Sequence, residues 1–174
     1  MRSPLFGIVP ALTTPFAGDA VALDRFRDNI HRYNGYDLSG YLVLGSTGEC
    51  VLLTDDESER LVRTARESAA AGKRVIAGTA RESTTHTIEF TNRMAGLGID
   101  AALVRPPSYY KGRMDREALR RHFLTVADHS RVPVILYNIP QNTGIVLDAS
   151  LVVELAGHSN IVGLKESGGN LPMI

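Results

Sequence analysis

Ile161-Val162-Gly163-Leu164-Lys165-Glu166-Ser167-Gly168-Gly169 begins as an apolar strand and turns polar at its lysine. Such a lysine starts in a core and emerges at its rim. Burial disfavours the ammonium, so the side chain can present a neutral amine, and an amine facing a keto group forms a Schiff base. The plainer alternative is a strand-end lysine whose stem covers the core while its head reaches water. The rest of the chain decides between them.

Five further segments read as short, nearly all-apolar strands: residues 5–12 (broken by Pro10), 40–44, 74–78, 101–104 and 132–137. Helical spacing fills the intervals. It runs over about residues 22–36 through Leu23, Phe26 and Ile30, and from the capping box Thr54-Asp55-Asp56-Glu57 to about residue 71. Further helices start at Ser83 or Thr84, at about Asp115 and at Asp148. Strands covered on both faces and alternating with helices make a parallel sheet with right-handed crossovers. An open nucleotide-binding sheet would show a glycine fingerprint after its first strand, and the turn here is Leu12-Thr13-Thr14-Pro15. Ser46-Thr47, Tyr109-Tyr110, Tyr137 and Lys165 each fall just past the end of a different strand. A (β/α)8 TIM barrel brings all those ends to one mouth, where its active site lies. The chain supplies about six βα units of such a barrel, read as one partial domain over residues 1–174. A full barrel has about 250 residues. The missing C-terminal part is expected to leave open strand edges and an unstable isolated monomer.

Composition excludes several classes. Lys+Arg and Asp+Glu are both 19, so no net charge draws the chain to nucleic acid or an anionic membrane. No run is long enough to span a bilayer, and the N-terminus lacks a signal peptide's apolar stretch. Cys50 is the one cysteine, which rules out an intrachain disulfide and fits a reducing compartment. A cytoplasmic location is the resulting expectation.

Four stretches resemble the dihydrodipicolinate synthase/N-acetylneuraminate lyase family of Schiff-base aldolases. They are Gly7-Ile8-Val9-Pro10-Ala11-Leu12-Thr13-Thr14-Pro15-Phe16, Gly45-Ser46-Thr47-Gly48-Glu49, Tyr137-Asn138-Ile139-Pro140-Gln141-Asn142-Thr143-Gly144 and Gly163-Leu164-Lys165-Glu166-Ser167. The resemblance implies a complete (β/α)8 barrel with a helical extension, commonly assembled as a dimer of dimers. It implies that Lys165 forms an imine with pyruvate or another 2-keto acid and that Tyr137 shuttles the proton. Ser46 and Thr47 then link the tyrosine relay and, with Gly48, hold the keto acid's carboxylate. Tyr110 matches the relay tyrosine that members often lend across a subunit interface. The second substrate is an aldehyde, and no cofactor or metal is implied.

The residue types suit that chemistry. Imine formation must protonate a departing hydroxyl, which a positioned phenol can do. Hydroxyls and turn amides bind a carboxylate, and a protonated imine is itself the electron sink. Each residue also has a plainer role: Tyr137 as a core cap, Ser46-Thr47 as turn residues, Tyr109 as a rim aromatic, Glu49 as an acid near a helix start. The five histidines show no ligand spacing and are read as surface or satisfied residues.

Within the family, the position of Asn142 is usually an arginine in the synthases, and asparagine offers no charged fork for a second carboxylate. Pro106-Pro107-Ser108-Tyr109-Tyr110-Lys111-Gly112-Arg113-Met114 and the stretch around Lys165 look more like the 4-hydroxy-2-oxoglutarate aldolase branch, although that branch often has Asn where this chain has Thr47. The preferred expectation is therefore retro-aldol cleavage of a 4-hydroxy-2-keto acid. The alternatives are a 4-hydroxy-tetrahydrodipicolinate synthase condensing pyruvate with aspartate semialdehyde, and a non-catalytic keto-acid-binding fragment.

Overall fold

A computed structural model describes residues 7–169, which fall into two compact units. One runs to Gly78 and includes Gly96–Asp100; the other comprises Thr79–Ala95 and the chain from Ala101 onward.

The first unit contains a hairpin, β1 (Phe16–Ala17) and β2 (Ala20–Val21), then α1 (Leu23–Tyr33), β3 (Gly40–Val43), α2 (Asp55–Ser68) and β4 (Arg74–Gly78). The hairpin was not expected; its two-residue connection begins with Gly18 at φ 59°, the left-handed start that primed turns require. Helix α1 turns Phe26 and Ile30 into the core, as its spacing predicts. It stops at Tyr33 rather than Tyr36; beyond it the Gly35 amide donates to Arg32 O and the Tyr36 amide to Tyr33 O, tighter turns than the helix's own, and the Asn34 side chain fastens this end. The Asn34 Oδ1 accepts the Tyr41 hydroxyl at 2.8 Å and the Ala70 amide at 3.0 Å, and its Nδ2 donates to Ser68 O at 2.8 Å. The capping box of α2 forms as read: the Glu57 amide donates to Thr54 Oγ1 and the Thr54 amide to Glu57 Oε2. Leu61, Val62 and Ala65 on α2 are buried. Strands β3 and β4 pair in parallel, Tyr41 opposite Val75 and Leu42 opposite Ile76.

The expected first strand needs correction. Leu5 and Phe6 lie outside the described residues. The remainder forms a single parallel bridge, Ala11 to Leu42, rather than a full strand. Pro10 has no amide to give, and Ile8 is 66% exposed instead of buried. Its carbonyls still serve β3 and its approach: Ser39 N–H donates to Ile8 O, and Leu42 N–H to Pro10 O.

The second unit contains α3 (Thr84–Gly96, all but its last residue), β5 (Ala101–Val104), α4 (Arg116–His129), β6 (Val134–Asn138), the short α5 (Pro140–Thr143), α6 (Ala149–Ala156) and β7 (Ile161–Glu166). Its helices are capped where the sequence says. Ser83 Oγ accepts the His86 amide, Asp115 the Ala118 amide, and Asp148 the Leu151 amide. Helix α4 buries Leu119, Phe123 and Val126, and α6 buries Leu151 and Leu155. Strands β5, β6 and β7 pair in parallel in that order. Among the described residues, no helix is long and apolar enough to cross a membrane.

The β6–β7 register is irregular in one place. Val134 pairs with Ile161, but Ile135 pairs with Gly163, so Val162 is passed over. The extra residue shifts every later partner by one. It sets Tyr137 opposite Lys165 and Asn138 opposite Glu166. Directly opposed residues share a face of the sheet, so the bulge decides which neighbour the lysine meets.

Candidate functional site

Lys165 and Tyr137 each lie inside their strand, one residue before its end, rather than beyond it as the sequence reading placed them. The Lys165 Nζ donates to the Tyr137 hydroxyl at 3.5 Å and stands 4.5 Å from the centre of its ring. Tyr137 is 5% exposed and Lys165 is half-buried. The amine and the phenol are therefore close enough to meet one small molecule.

The next cross-strand pair supports them, and the sequence reading missed it. Asn138 is buried; its Nδ2 donates to Glu166 Oε2 at 2.6 Å, and its Oδ1 accepts the Leu147 amide at 3.0 Å. Its carbonyl accepts the Ser167 amide at 2.9 Å. The Gly168 amide closes onto Glu166 Oε1. These bonds lock the chain immediately after Tyr137 to the chain immediately after Lys165. The signal available in sequence was only adjacency, an Asn and a Glu each one position beyond a singled-out residue.

Asn142 lies on α5 and is exposed. Its neighbour Gln141 donates to Ser167 O at 2.8 Å, which ties α5 to the end of β7. Gly144 ends α5 at φ 67°, and the stem of Lys111 lies so close that a Cβ there would come within 3.2 Å of its Cδ. Tyr109 and Tyr110 are 78% and 72% exposed and meet edge-to-face, with ring centres 4.9 Å apart.

In the first unit, Ser46, Thr47 and Gly48 form one 3-10 turn after β3. Leu44 before it and Glu49 after it both adopt left-handed backbone, at φ 56° and 55°. Ser46 and Thr47 are exposed. Gly48 is buried, its amide donating to Gly45 O at 3.0 Å and its carbonyl accepting the Thr14 hydroxyl at 2.7 Å. The Gly48 amide thus donates within the turn.

One histidine departs from expectation. His122 on α4 is 4% exposed; its Nδ1 shares a hydrogen bond with Thr84 Oγ1 at 2.9 Å, while its Nε2 has no protein partner. Burial, helped by the Arg105 guanidinium and opposed by Glu82, pushes its pKa down from 6.5 to about 4. It is a neutral core group rather than a surface one.

The geometry has close counterparts among known proteins. Residues 4–174 match the model of the dihydrodipicolinate synthetase family. The chain is 44% identical over 164 residues to a 4-hydroxy-tetrahydrodipicolinate synthase of Xanthomonas axonopodis pv. citri (strain 306), covering 94% of this chain and 54% of that protein. It superposes on the 4-hydroxy-tetrahydrodipicolinate synthase of Methylacidiphilum fumariolicum SolV with a TM-score of 0.91 at 30% identity, covering 97% of this chain and 56% of the other. A dihydrodipicolinate synthase from Acinetobacter baumannii, chloride-inhibited and complexed with pyruvate, aligns with a TM-score of 0.87 at 32% identity, over 95% of this chain and 56% of that one. The chain thus spans about half the length of the relatives it matches. Its βα units are those of the family's TIM barrel, and the chain belongs to the dihydrodipicolinate synthetase family.

Proposed function

We propose that the protein carrying this chain is a Schiff-base lyase that acts on pyruvate or a closely related 2-keto acid, without metal or cofactor. The observation that carries the reading is the Lys165 Nζ held 3.5 Å from the Tyr137 hydroxyl across a bulged strand pair. In the proposed reaction the neutral amine of Lys165 attacks the keto carbon. The C–N bond forms, Tyr137 delivers a proton to the departing hydroxyl, and water leaves. The protonated imine then gives a methyl proton back to the Tyr137 phenolate and becomes an enamine, the carbon nucleophile toward an aldehyde; retro-aldol cleavage runs the same steps backward. Ser46 and Thr47 are assigned the keto acid's carboxylate, and Tyr110 the far end of the proton relay, through the family resemblance. A homo-oligomer in the cytoplasm belongs to the same reading.

Two readings of the second substrate differ in their support. The named relatives are synthases, which favours condensation of pyruvate with aspartate semialdehyde over the retro-aldol reaction preferred from sequence. Asn142 favours the retro-aldol reading, because an exposed amide stands where a guanidinium would grip the semialdehyde's carboxylate. Dihydrodipicolinate as the sole product from pyruvate and aspartate semialdehyde would decide for the first reading; release of pyruvate from 4-hydroxy-2-oxoglutarate would decide for the second.

The chemistry common to both is tested by incubating the protein with pyruvate and borohydride and mapping the reduced adduct by mass spectrometry. The adduct is expected on Lys165. Lys165→Ala is expected to abolish it and to lower turnover by roughly a thousandfold, the scale on which loss of a covalent nucleophile is felt. An adduct on another lysine would overturn the assignment of the nucleophile.

A further inference from the structure

The loop after β5 carries both exposed tyrosines, and one carboxylate outside it grips its backbone. Glu82 lies just before α3. Its Oε2 accepts the amides of Ser108 and Tyr109, each at 2.8 Å. Its Oε1 lies 2.9 Å from Arg105 Nη2. Arg105 in turn donates through Nη1 to Pro106 O at 2.9 Å and reaches Ser108 Oγ at 3.4 Å. Residues 106–109 are thus bonded at four atoms by two side chains that are bonded to each other. Burial opposes the charge on Glu82, but the Tyr109 and Ser108 amides and Arg105 outweigh it and hold its carboxyl below its ordinary value.

The base of this clamp is itself fixed. Thr87 Oγ1 accepts the Arg81 amide at 3.0 Å and lies within reach of the carbonyls of Arg81 and Ser83. The Arg81 guanidinium stacks 3.5 Å from the centre of the Phe90 ring. Beyond the tyrosines, the stem of Lys111 rests on Gly144. The tyrosine rings point outward and bury little, so core packing does not fix their backbone. A carboxylate bonded to two successive amides does so in a directional way that an exposed ion pair alone does not.

We propose that Glu82 is a positioning residue: together with Arg105 it fixes the backbone of residues 106–109 and so places the phenol of the next residue, Tyr110, for proton transfer. This inference rests on the Schiff-base reading above, in which Tyr110 belongs to the relay. Glu82 touches no reacting atom and acts through Tyr110.

The test follows deuterium entering the methyl group of pyruvate in D2O by proton NMR. That exchange needs only imine and enamine formation and no aldehyde. Glu82→Ala is expected to lower the maximal exchange rate by roughly tenfold to a hundredfold, with half-saturating pyruvate changed by less than about threefold, because misplacing a proton-transfer group costs rate rather than binding. Glu82→Gln keeps a carbonyl oxygen able to accept both amides and is expected to restore exchange to within about threefold of the unaltered protein. A Glu82→Ala protein within twofold of the unaltered rate would overturn the inference, as would a Gln variant no better than Ala. If the unaltered protein exchanges no deuterium and traps no pyruvate, the Schiff-base reading falls instead. The clamp is then judged by amide exchange at Ser108 and Tyr109: at least about tenfold faster in Glu82→Ala and unchanged in Glu82→Gln supports it, and equal rates in all three overturn it.

Discussion

The end of the β6–β7 pair and the turn after β3 both carry residues assigned to the substrate, and each is held rigid by a different device. At β6–β7 the device is polar. Asn138, Glu166, Ser167 and the Leu147 amide satisfy one another around a buried side chain, next to Lys165 and Tyr137. At the turn the device is steric. Leu44 and Glu49 take left-handed backbone on either side of Ser46-Thr47-Gly48, a conformation that costs L-residues about 1–2 kcal/mol each. The strand pair can therefore be loosened by removing a bond, and the turn by adding an atom.

The largest expected effect comes from adding that atom. Gly78, at the end of β4, faces the carbonyl of Leu44, and any Cβ there would run into that oxygen. Both groups are backbone, so neither can swing aside as a side chain would. Gly78→Ala is expected to cost about 3 kcal/mol, read as a lowered urea midpoint at unchanged slope. A cost under about 1 kcal/mol would mean that the turn gives way easily, and the contrast between the two regions would collapse.

Removing the bond should cost somewhat less. Asn138→Ala leaves the Leu147 amide and the Glu166 carboxylate without their partner in a largely buried setting. About 2 kcal/mol of stability should be lost, the scale of a buried polar group left unsatisfied. Chemical denaturation of the variant measures it. A neutral outcome would show that water replaces the side chain and that the β6–β7 end is less closed than its burial indicates.

The smallest effect has the opposite sign. Glu49 is exposed and left-handed at φ 55°. Glu49→Gly removes the Cβ that this backbone penalises, and a gain of about 1 kcal/mol is expected, less whatever entropy the glycine returns to the unfolded chain. Thermal unfolding of the variant sharpens the comparison, because no exposed residue at β6–β7 offers such a gain.

Much of the fold was legible before any coordinates, for local reasons. The alternation of apolar strands with capped helices is written in side-chain types at fixed spacing, and Thr54, Asp115 and Asp148 cap the helices they were read to cap. The first strand was misjudged because a proline amide is absent whatever the hydropathy of its neighbours. His122 was misjudged because five unpatterned histidines look alike in sequence, and only packing distinguishes the one on the inner face of α4. The pairing of Asn138 with Glu166 was not legible, since the two are 28 residues apart and meet through strand register alone.

The sequence by itself determined which groups could do the chemistry, a lysine and a tyrosine each at the polar end of an apolar strand. It also determined the order of strands and helices, because hydrophobic period and capping act over a few residues. Only the tertiary structure decided that those two side chains face each other. That depends on a single residue, Val162, passed over in the β6–β7 register, and a register is a property of two strands together. The left-handed backbone of Leu44 and the grip of Glu82 on residues 106–109 are likewise set by contacts between distant segments. No local pattern of residue types encodes them.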